Sequence, residues 1–150
     1  MNESLDESKN ELKRVDHLIY VSLKYTRTVD VIKSIIDRMI TSFDFGFIAI
    51  LEKVQRRRKT LEIPTQPRKR CDLLREIFPE DKELMDYVDF YLLLRDLSQA
   101  KYTRREEYRR HVTMIADLGQ EEPYEVNIDI LYEWNEKMIV FITYLERTLT

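Results

Sequence analysis

The sequence LKRVDHLIYVSLKYTRTVDVIKSIIDRMI, residues 12–40, decides the fold class. Its apolar side chains recur at alternating steps of three and four residues, which is the spacing of one helix face. Because the phase continues through residues 25–28, the pattern predicts a single helix, roughly 43 Å long at about 1.5 Å per residue. The main stripe comprises Leu18, Val21, Tyr25, Thr28, Ile32, Ile35 and Met39, and the flanking stripe comprises Leu12, Val15, Ile19, Val29, Ile36 and Ile40.

Residues 41–44, TSFD, carry polar side chains that favour the end of one helix and the start of the next. A second apolar stripe then runs to Val54, so residues 12–59 are predicted to form a long helical hairpin. Gly46 lies inside the second helix, where glycine costs about 1 kcal/mol relative to alanine. We therefore expect a neighbouring helix to pack closely against Gly46.

The rest of the chain also reads mainly as helices. Residues 60–66 form a linker, and Pro67 suits the first turn of a short helix at 68–78. Another helix is predicted from Pro79 to about residue 100, and a final helix starts at Asn127 or Asp129. Residues 101–115 are predicted to be a further helix or a bent continuation. A short β-hairpin between residues 112–116 and 124–126 is the alternative for that region.

Composition supports the same class. Two glycines and four prolines are few for a strand-rich fold, which needs many tight turns. The predicted fold is therefore an all-α, up-down bundle of about five or six helices, with residues 11–150 as a single domain. Residues 1–10 are polar, with Leu5 as their apolar anchor, and are expected to be flexible.

Several functional classes are disfavoured. No run of 18 apolar residues is present, so we expect no transmembrane helix. The single cysteine, Cys71, excludes an intramolecular disulfide and suits a reducing cytoplasm. Few cysteines and histidines make a zinc site improbable, and no glycine-rich phosphate loop occurs. We therefore expect neither a metal nor a cofactor.

The net charge of −3 conceals two basic segments. Lys53–Arg75, the first basic segment, has nine basic residues and two acidic ones. Lys101–His111, the second, has five basic residues and two acidic ones. Local clusters of this kind predict an anionic partner, although the run at 56–59 also suits a solvated helix C-terminus. The predicted nucleic-acid-binding residues are Arg56, Arg57, Arg58, Lys59, Arg68, Lys69, Arg70, Arg109 and Arg110.

The stretch KYTRREEYRRHVTM, residues 101–114, is the best candidate for chemistry. On a helix, Arg104, Tyr108 and His111 would share one stripe, and Arg105 and Arg109 would form its neighbour. Arginine binds phosphate bidentately, and histidine transfers protons near neutral pH. The combination therefore points to a phosphodiester, with an incidental charged helix face as the alternative.

These features resemble the HEPN superfamily, whose members are compact α-helical bundles with a basic R-x(4–6)-H motif and a closing amphipathic helix. Five residues separate Arg105 from His111 and six separate Arg104 from His111, so both pairs satisfy the spacing. Residues 126–149 are similar to the closing helix, and the pair at 12–59 corresponds to the first hairpin. Glu106 follows Arg105, where many active members have Asn, Asp or His.

The resemblance implies a homodimer with a composite site and metal-independent cleavage of RNA, in which a 2′-hydroxyl attacks the adjacent phosphate. Arg104 or Arg105 would stabilise the phosphate charge, and His111 would be the general acid or base. Tyr108, on helix geometry alone, would position the substrate. Three alternatives remain open: RNA binding without cleavage, a non-catalytic protein–protein interaction module such as a toxin–antitoxin or defence-complex component, and a scaffold whose basic patches face an acidic protein.

Overall fold

The computed structural model describes residues 2–150. Over that range the chain forms helices packed around one hydrophobic core and a three-stranded antiparallel sheet. The elements are α1 (Glu3–His17), a π-helical turn (Leu18–Ser22), α2 (Leu23–Tyr25), α3 (Val29–Arg57), α4 (Pro67–Ile77), α5 (Lys82–Gln99), β1 (Lys101–Arg105), β2 (Thr113–Asp117), β3 (Tyr124–Asn127) and α6 (Ile128–Leu149). The mainly helical class is confirmed, whereas the purely all-α description is wrong because of the sheet.

Helix α3 is the central element. Helix α1 runs antiparallel to it, with the Ser8 hydroxyl donating to the Ser42 carbonyl at 2.7 Å. Helix α5 is also antiparallel, since the Ser98 hydroxyl near its end donates to Asp37 near the start of α3 at 2.6 Å. Helix α6 runs in the same direction as α3. The starts of α3 and α6 therefore lie at one end of the bundle, where α2 and α5 end. The largest fully buried side chains include Tyr91, Phe43, Phe47 and Phe141.

The break in the N-terminal hairpin lies at residues 26–28, and the predicted continuous helix over 12–40 is wrong. Thr28 has extended backbone angles, and its hydroxyl accepts from the Val31 N–H at 3.4 Å, so Thr28 caps α3. The predicted stop at 41–44 is also wrong, because Ser42 and Asp44 find partners on other elements instead of capping. The Ser42 hydroxyl donates to the Ser8 carbonyl at 2.9 Å, and Asp44 pairs with Arg70.

The first residues are helical as well. Residues 3–10 belong to α1 rather than to the flexible segment that their polar composition predicted. Asn2 caps the helix by accepting from the Leu5 N–H at 3.0 Å, and the Ser4 hydroxyl donates to Glu52 of α3 at 2.7 Å. Two polar side chains in this part of α1, those of Ser4 and Ser8, therefore bind α3.

Gly46 packs tightly, as predicted. A Cβ atom at this position would lie 2.5 Å from Cζ of Phe141 and 2.9 Å from Cδ1 of Leu145, both on α6. The absence of a side chain allows α3 and α6 to approach at this point, which outweighs the helix propensity lost.

Local signals placed the later helices correctly. Pro67 is the first residue of α4. Asp81 caps α5, accepting from the Leu84 N–H at 3.0 Å. Asn127, rather than Asp129, caps α6 and accepts from the Ile130 N–H at 2.9 Å. Among residues 2–150, no helix has both the length and the apolar character that crossing a membrane requires.

The sheet has the strand order β1-β2-β3. The predicted hairpin is confirmed, with Met114 opposite Val126 and Ala116 opposite Tyr124. The predicted helix at 101–115 is wrong, because residues 101–105 form an edge strand that pairs with β2, with Tyr102 opposite Ala116. In β2, Met114 and Ala116 are buried at the two-residue spacing of a strand.

Candidate functional site

A cleft of about 680 Å³ opens at the end of the bundle where α3 and α6 begin. Its volume lies within the range of ligand-binding sites in proteins. Its walls come from three chain segments: residues 19–27, which follow α1; the turn between β1 and β2; and residues 127–132, which join β3 to α6. These segments are far apart in the sequence, so tertiary packing alone creates the cleft.

The cleft lining is predominantly basic. Lys24, Arg27, Arg105 and Arg110 contribute cationic side chains, and His111 lies among them. In the described part of the chain, neither Lys24 nor Arg110 forms an ion pair, and the buried Nε atom of Arg27 has no hydrogen-bond partner. Two acidic residues, Glu106 and Asp129, also line the cleft. The result is a concave surface with an excess of positive charge.

Arg105 differs from the other cations. Its guanidinium pairs with the carboxylate of Glu125 on β3, and both side chains are about half exposed. An exposed pair of this kind contributes little stability, because solvent screens it. Arg105 can therefore exchange Glu125 for another anion at small cost.

Aromatic rings accompany these charges. Tyr20 and Tyr132 both line the cleft, with ring centroids 5.5 Å apart and ring planes inclined by 40°. Tyr20 is 50% exposed and Tyr132 is 40% exposed. Tyr20 belongs to the π-helical turn, a rare local geometry that recurs at functional sites. The pair forms an aromatic wall beside the cations.

The turn between β1 and β2 has an unusual backbone. Glu106 and Tyr108 have φ values of 54° and 66°, in the left-handed region that side-chain-bearing residues seldom adopt. Tertiary hydrogen bonds hold the turn in this shape. The Tyr108 N–H donates to the Arg27 carbonyl at 2.6 Å, and a Glu107 carboxylate oxygen accepts from the Val29 N–H at 3.0 Å. Backbone strain of this kind clusters at functional sites.

Of the four predicted catalytic residues, Arg105 and His111 line the same cleft. Arg104 does not, because successive strand residues point to opposite faces. It pairs with Asp30 at 3.0 Å and Glu107 at 3.4 Å. The hydrogen bond to Asp30 raises the pKa of Arg104. Tyr108 is exposed on the turn and is absent from the cleft lining. The predicted stripe of Arg104, Tyr108 and His111 is wrong, because these residues do not share a helix.

The predicted nucleic-acid-binding residues are dispersed. Arg110 lines the cleft, and Arg109 is exposed in the same turn. Residues 56–59 are exposed at the far end of α3. Because α3 spans 29 residues, that end lies roughly 42 Å from the cleft at about 1.5 Å per residue. Residues 56–59 therefore do not share a surface with the cleft.

The three basic residues at the start of α4 have different surroundings. Lys69 is exposed, and Arg68 is exposed while pairing with Asp96 at 2.8 Å. Arg70 is buried, pairs with Asp44 at 3.1 Å and donates to the Thr65 carbonyl at 3.0 Å. The assignment of Arg70 to nucleic-acid binding is therefore wrong, because its guanidinium is enclosed by the protein.

Sequence reasoning missed four residues of the cleft: Tyr20, Lys24, Arg27 and Tyr132. One signal was available, since Tyr20 lies outside both apolar stripes of residues 12–40, so an aromatic ring was expected on the polar face. Across residues 2–150, no group of three or more His, Cys, Asp or Glu side chains is placed to hold a metal ion.

Comparison of the chain with models of protein families, with curated proteins and with solved structures finds no match. The resemblance to the HEPN superfamily therefore stays a prediction. What the geometry provides is a basic cleft with an aromatic wall, an arginine paired to an exchangeable partner, and a histidine able to transfer protons at the same place.

Proposed function

We propose that the protein binds RNA in the basic cleft. One observation carries the proposal: Lys24 and Arg27, from the segment that follows α1, lie in the same cleft as Arg110 from the β1–β2 turn, beside exposed aromatic rings. Proteins that bind nucleic acid without relying on duplex grooves combine cations that follow the phosphates with rings that stack on the bases. This cleft has both components.

The acidic residues of the cleft favour RNA over DNA. Glu106 and Asp129 would repel phosphates, yet a carboxylate accepts hydrogen bonds from hydroxyl groups. The ribose 2′-hydroxyl is such a donor, and DNA lacks it. A cleft with cations for phosphates and carboxylates for hydroxyls therefore matches the alternation of groups along an RNA strand.

We also propose that the bound RNA is cleaved, which deepens the first proposal. Arg105 would exchange Glu125 for the scissile phosphate and stabilise the charge that develops there. A 2′-hydroxyl would lose its proton and its oxygen would bond to phosphorus as the bond to the 5′-oxygen breaks, leaving a 2′,3′-cyclic phosphate and a 5′-hydroxyl that takes up a proton. His111 would accept the first proton as general base or donate the second as general acid, with water exchanging the other.

Incubation of the purified protein with mixed RNA in EDTA, beside a His111→Ala variant, tests cleavage. His111 is exposed, so its removal should leave the fold intact. We expect the wild-type protein to shorten the RNA and the variant to leave it whole. Equal RNA integrity with both proteins would refute cleavage while leaving binding in place.

Salt titration tests binding separately. Phosphate contacts release counterions, so the affinity for RNA should fall steeply as the salt concentration rises. An affinity that is independent of salt would contradict phosphate contacts. Both the wild-type protein and the His111→Ala variant should show the same salt dependence, apart from any contact made by His111 itself.

A second candidate is a protein–protein interaction module, including a homodimer that associates through α6. The observation that favours it is on α6, where Ile139 is 42% exposed and Val140 is 53% exposed. Adjacent exposed aliphatic side chains are common at contact surfaces. Sedimentation of the wild-type protein and an Ile139→Ser/Val140→Ser variant would test it, since self-association that the variant loses would support this surface.

A further inference from the structure

We propose that Tyr20 and Tyr132 form a stacking subsite for an unpaired base, so that the RNA in the cleft is single-stranded. This inference rests on the proposed function and specifies its ligand. Neither residue was predicted as part of a site from the sequence. Tyr20 belongs to the π-helical turn and Tyr132 belongs to α6, so the two are far apart along the chain. The fold alone makes them neighbours.

The geometry of the pair leaves room for a ligand. With centroids 5.5 Å apart and planes inclined by 40°, the rings are tilted rather than stacked in parallel. Each ring remains at least 40% exposed, so ring surface is available to a planar group. Every nucleobase has a π face, so such a platform accepts bases regardless of sequence.

Exposed aromatic surface is concentrated near this site. The large hydrophobic side chains that are exposed in the described residues are Tyr20, Val21, Tyr25, Tyr108, Tyr132, Ile139 and Val140. The first three belong to the segment that forms one wall of the cleft, Tyr108 belongs to the opposite turn, and Tyr132 lines the cleft. Tyr20 and Tyr132 are the members of this group that line the cleft, so their exposed surface is available to a ligand there.

Charged groups flank the rings in the arrangement that a strand requires. Lys24 lies on the same wall as Tyr20, whereas Arg110 projects from the turn that forms the facing wall. Asp129 precedes Tyr132 by three residues on α6 and therefore lies on the same helix face. A stacked base would have cations near its phosphates and an acceptor near its sugar.

A duplex cannot use this platform. Its bases already stack on one another, and the faces that the tyrosines need are covered. Unpaired bases expose those faces, and stacking on an aromatic side chain is worth about 1–3 kcal/mol per base. The wild-type protein should therefore bind a single strand about tenfold more tightly than a duplex of the same length.

The test measures fluorescence anisotropy with three ligands of equal length: a single-stranded RNA, the corresponding duplex, and an abasic strand with the same phosphates. Three variants are compared with the wild-type protein. Tyr20→Ala/Tyr132→Ala removes both rings, Tyr20→Phe/Tyr132→Phe keeps them, and Tyr25→Ala removes an exposed tyrosine outside the pair. Duplex and abasic binding report whether each variant remains folded and basic.

We expect the alanine pair to lose about tenfold in affinity for the single strand, with duplex and abasic binding unchanged. The phenylalanine pair and Tyr25→Ala should both bind the single strand like the wild-type protein. Equal wild-type affinity for the single strand and the abasic strand would overturn the subsite while leaving RNA binding in place. Failure to bind any of the three ligands would overturn both proposals.

Discussion

The first basic segment, residues 53–75, and the second, residues 101–111, look alike in sequence and have different surroundings in the fold. In the first segment, the arginines of α4 each meet a carboxylate of another helix. Arg68 pairs with Asp96 at 2.8 Å, and Arg75 pairs with Asp89 at 2.8 Å. Arg70 is buried against Asp44. The second segment folds into a strand and turn whose Arg110 has no such partner in the described chain and faces a cleft.

The difference shows what a local charge count omits. Both segments would attract an anion if their side chains were free, yet the net field depends on the carboxylates that the fold places beside them. At the cleft, unpaired cations converge from two segments, residues 19–27 and the β1–β2 turn. Residues 56–59, the unpaired run of the first segment, lie at the end of α3, where Arg57 and Arg58 line a smaller cleft of about 380 Å³ whose Tyr144 is buried. Exposed aromatic rings beside unpaired cations, rather than charge composition, distinguish the two regions.

The largest expected effect concerns the buried arginine of the first segment. Arg70→Ala should lower the free energy of unfolding by roughly 3 kcal/mol, because Asp44 loses its buried ion-pair partner and two carbonyls lose a donor. Urea denaturation measures the change. Its matched control is Lys69→Ala, the exposed neighbour, which should have almost no effect. If both variants lost similar amounts of unfolding free energy, the difference in burial between Arg70 and Lys69 would not explain their contributions to stability.

A smaller effect is expected at the turn of the second segment. Glu107→Ala removes the carboxylate that accepts from the Val29 N–H at 3.0 Å, so stability should fall by about 1 kcal/mol. RNA affinity should fall as well, because the turn positions Arg110 and His111 at the cleft. Glu107→Gln keeps an acceptor oxygen and should restore much of both quantities. Loss of stability without any change in affinity would contradict a positioning role for Glu107.

A pH-dependent effect is expected at Cys71, which lies between Arg70 and Asp72 in the first segment. Burial raises the pKa of the Cys71 thiol from 9.0 to about 11, and the nearby Arg75 opposes this shift without overcoming it. The folded state therefore favours the protonated thiol. Its contribution to stability is present below about pH 9 and is lost as the pH rises from about 9 to about 11.

Alkylation of Cys71 with iodoacetamide measures this directly. We expect the native protein to react slowly at pH 9 and the urea-unfolded protein to react quickly, because the thiolate is the nucleophile and it is disfavoured in the fold. Fast reaction of the native protein would mean that the neighbouring arginines, rather than burial, determine the pKa of the Cys71 thiol.

Sequence patterns predicted those elements whose signals are local. Pro67 and Asn127 mark the starts of α4 and α6, and the alternative of a hairpin between residues 112–116 and 124–126 matches β2 and β3. The position of the N-terminal break was missed because Thr28 and Ser42 both have capping side chains. Contact with Ser8 on another helix determines that Ser42 does not cap, and periodicity contains no information about that contact.

The candidate site was predicted only in part for the same reason. Arg105 and His111 are close in sequence and share a turn, so their association could be expected from spacing. Tyr20, Lys24 and Tyr132 join them through tertiary packing of the helices. The role of Arg104 was misjudged because the strand, unlike a helix, directs it away from Arg105 and toward Asp30.

The most direct test compares the RNA affinity of two double variants. Lys24→Ala/Arg110→Ala removes two cations from the cleft, whereas Arg57→Ala/Arg58→Ala removes two from the far end of α3. All four side chains are exposed, and none forms an ion pair within residues 2–150. The two sets are therefore matched in charge and accessibility.

The cleft variant should lose about tenfold or more in affinity, and the slope of log affinity against log salt should fall by about 2, since each phosphate contact contributes about 1. The α3-end variant should bind almost like the wild-type protein. The Debye length at physiological salt is about 8 Å, which is much shorter than the distance from that end of α3 to the cleft. A loss from the α3-end variant equal to or greater than that from the cleft variant would contradict the account.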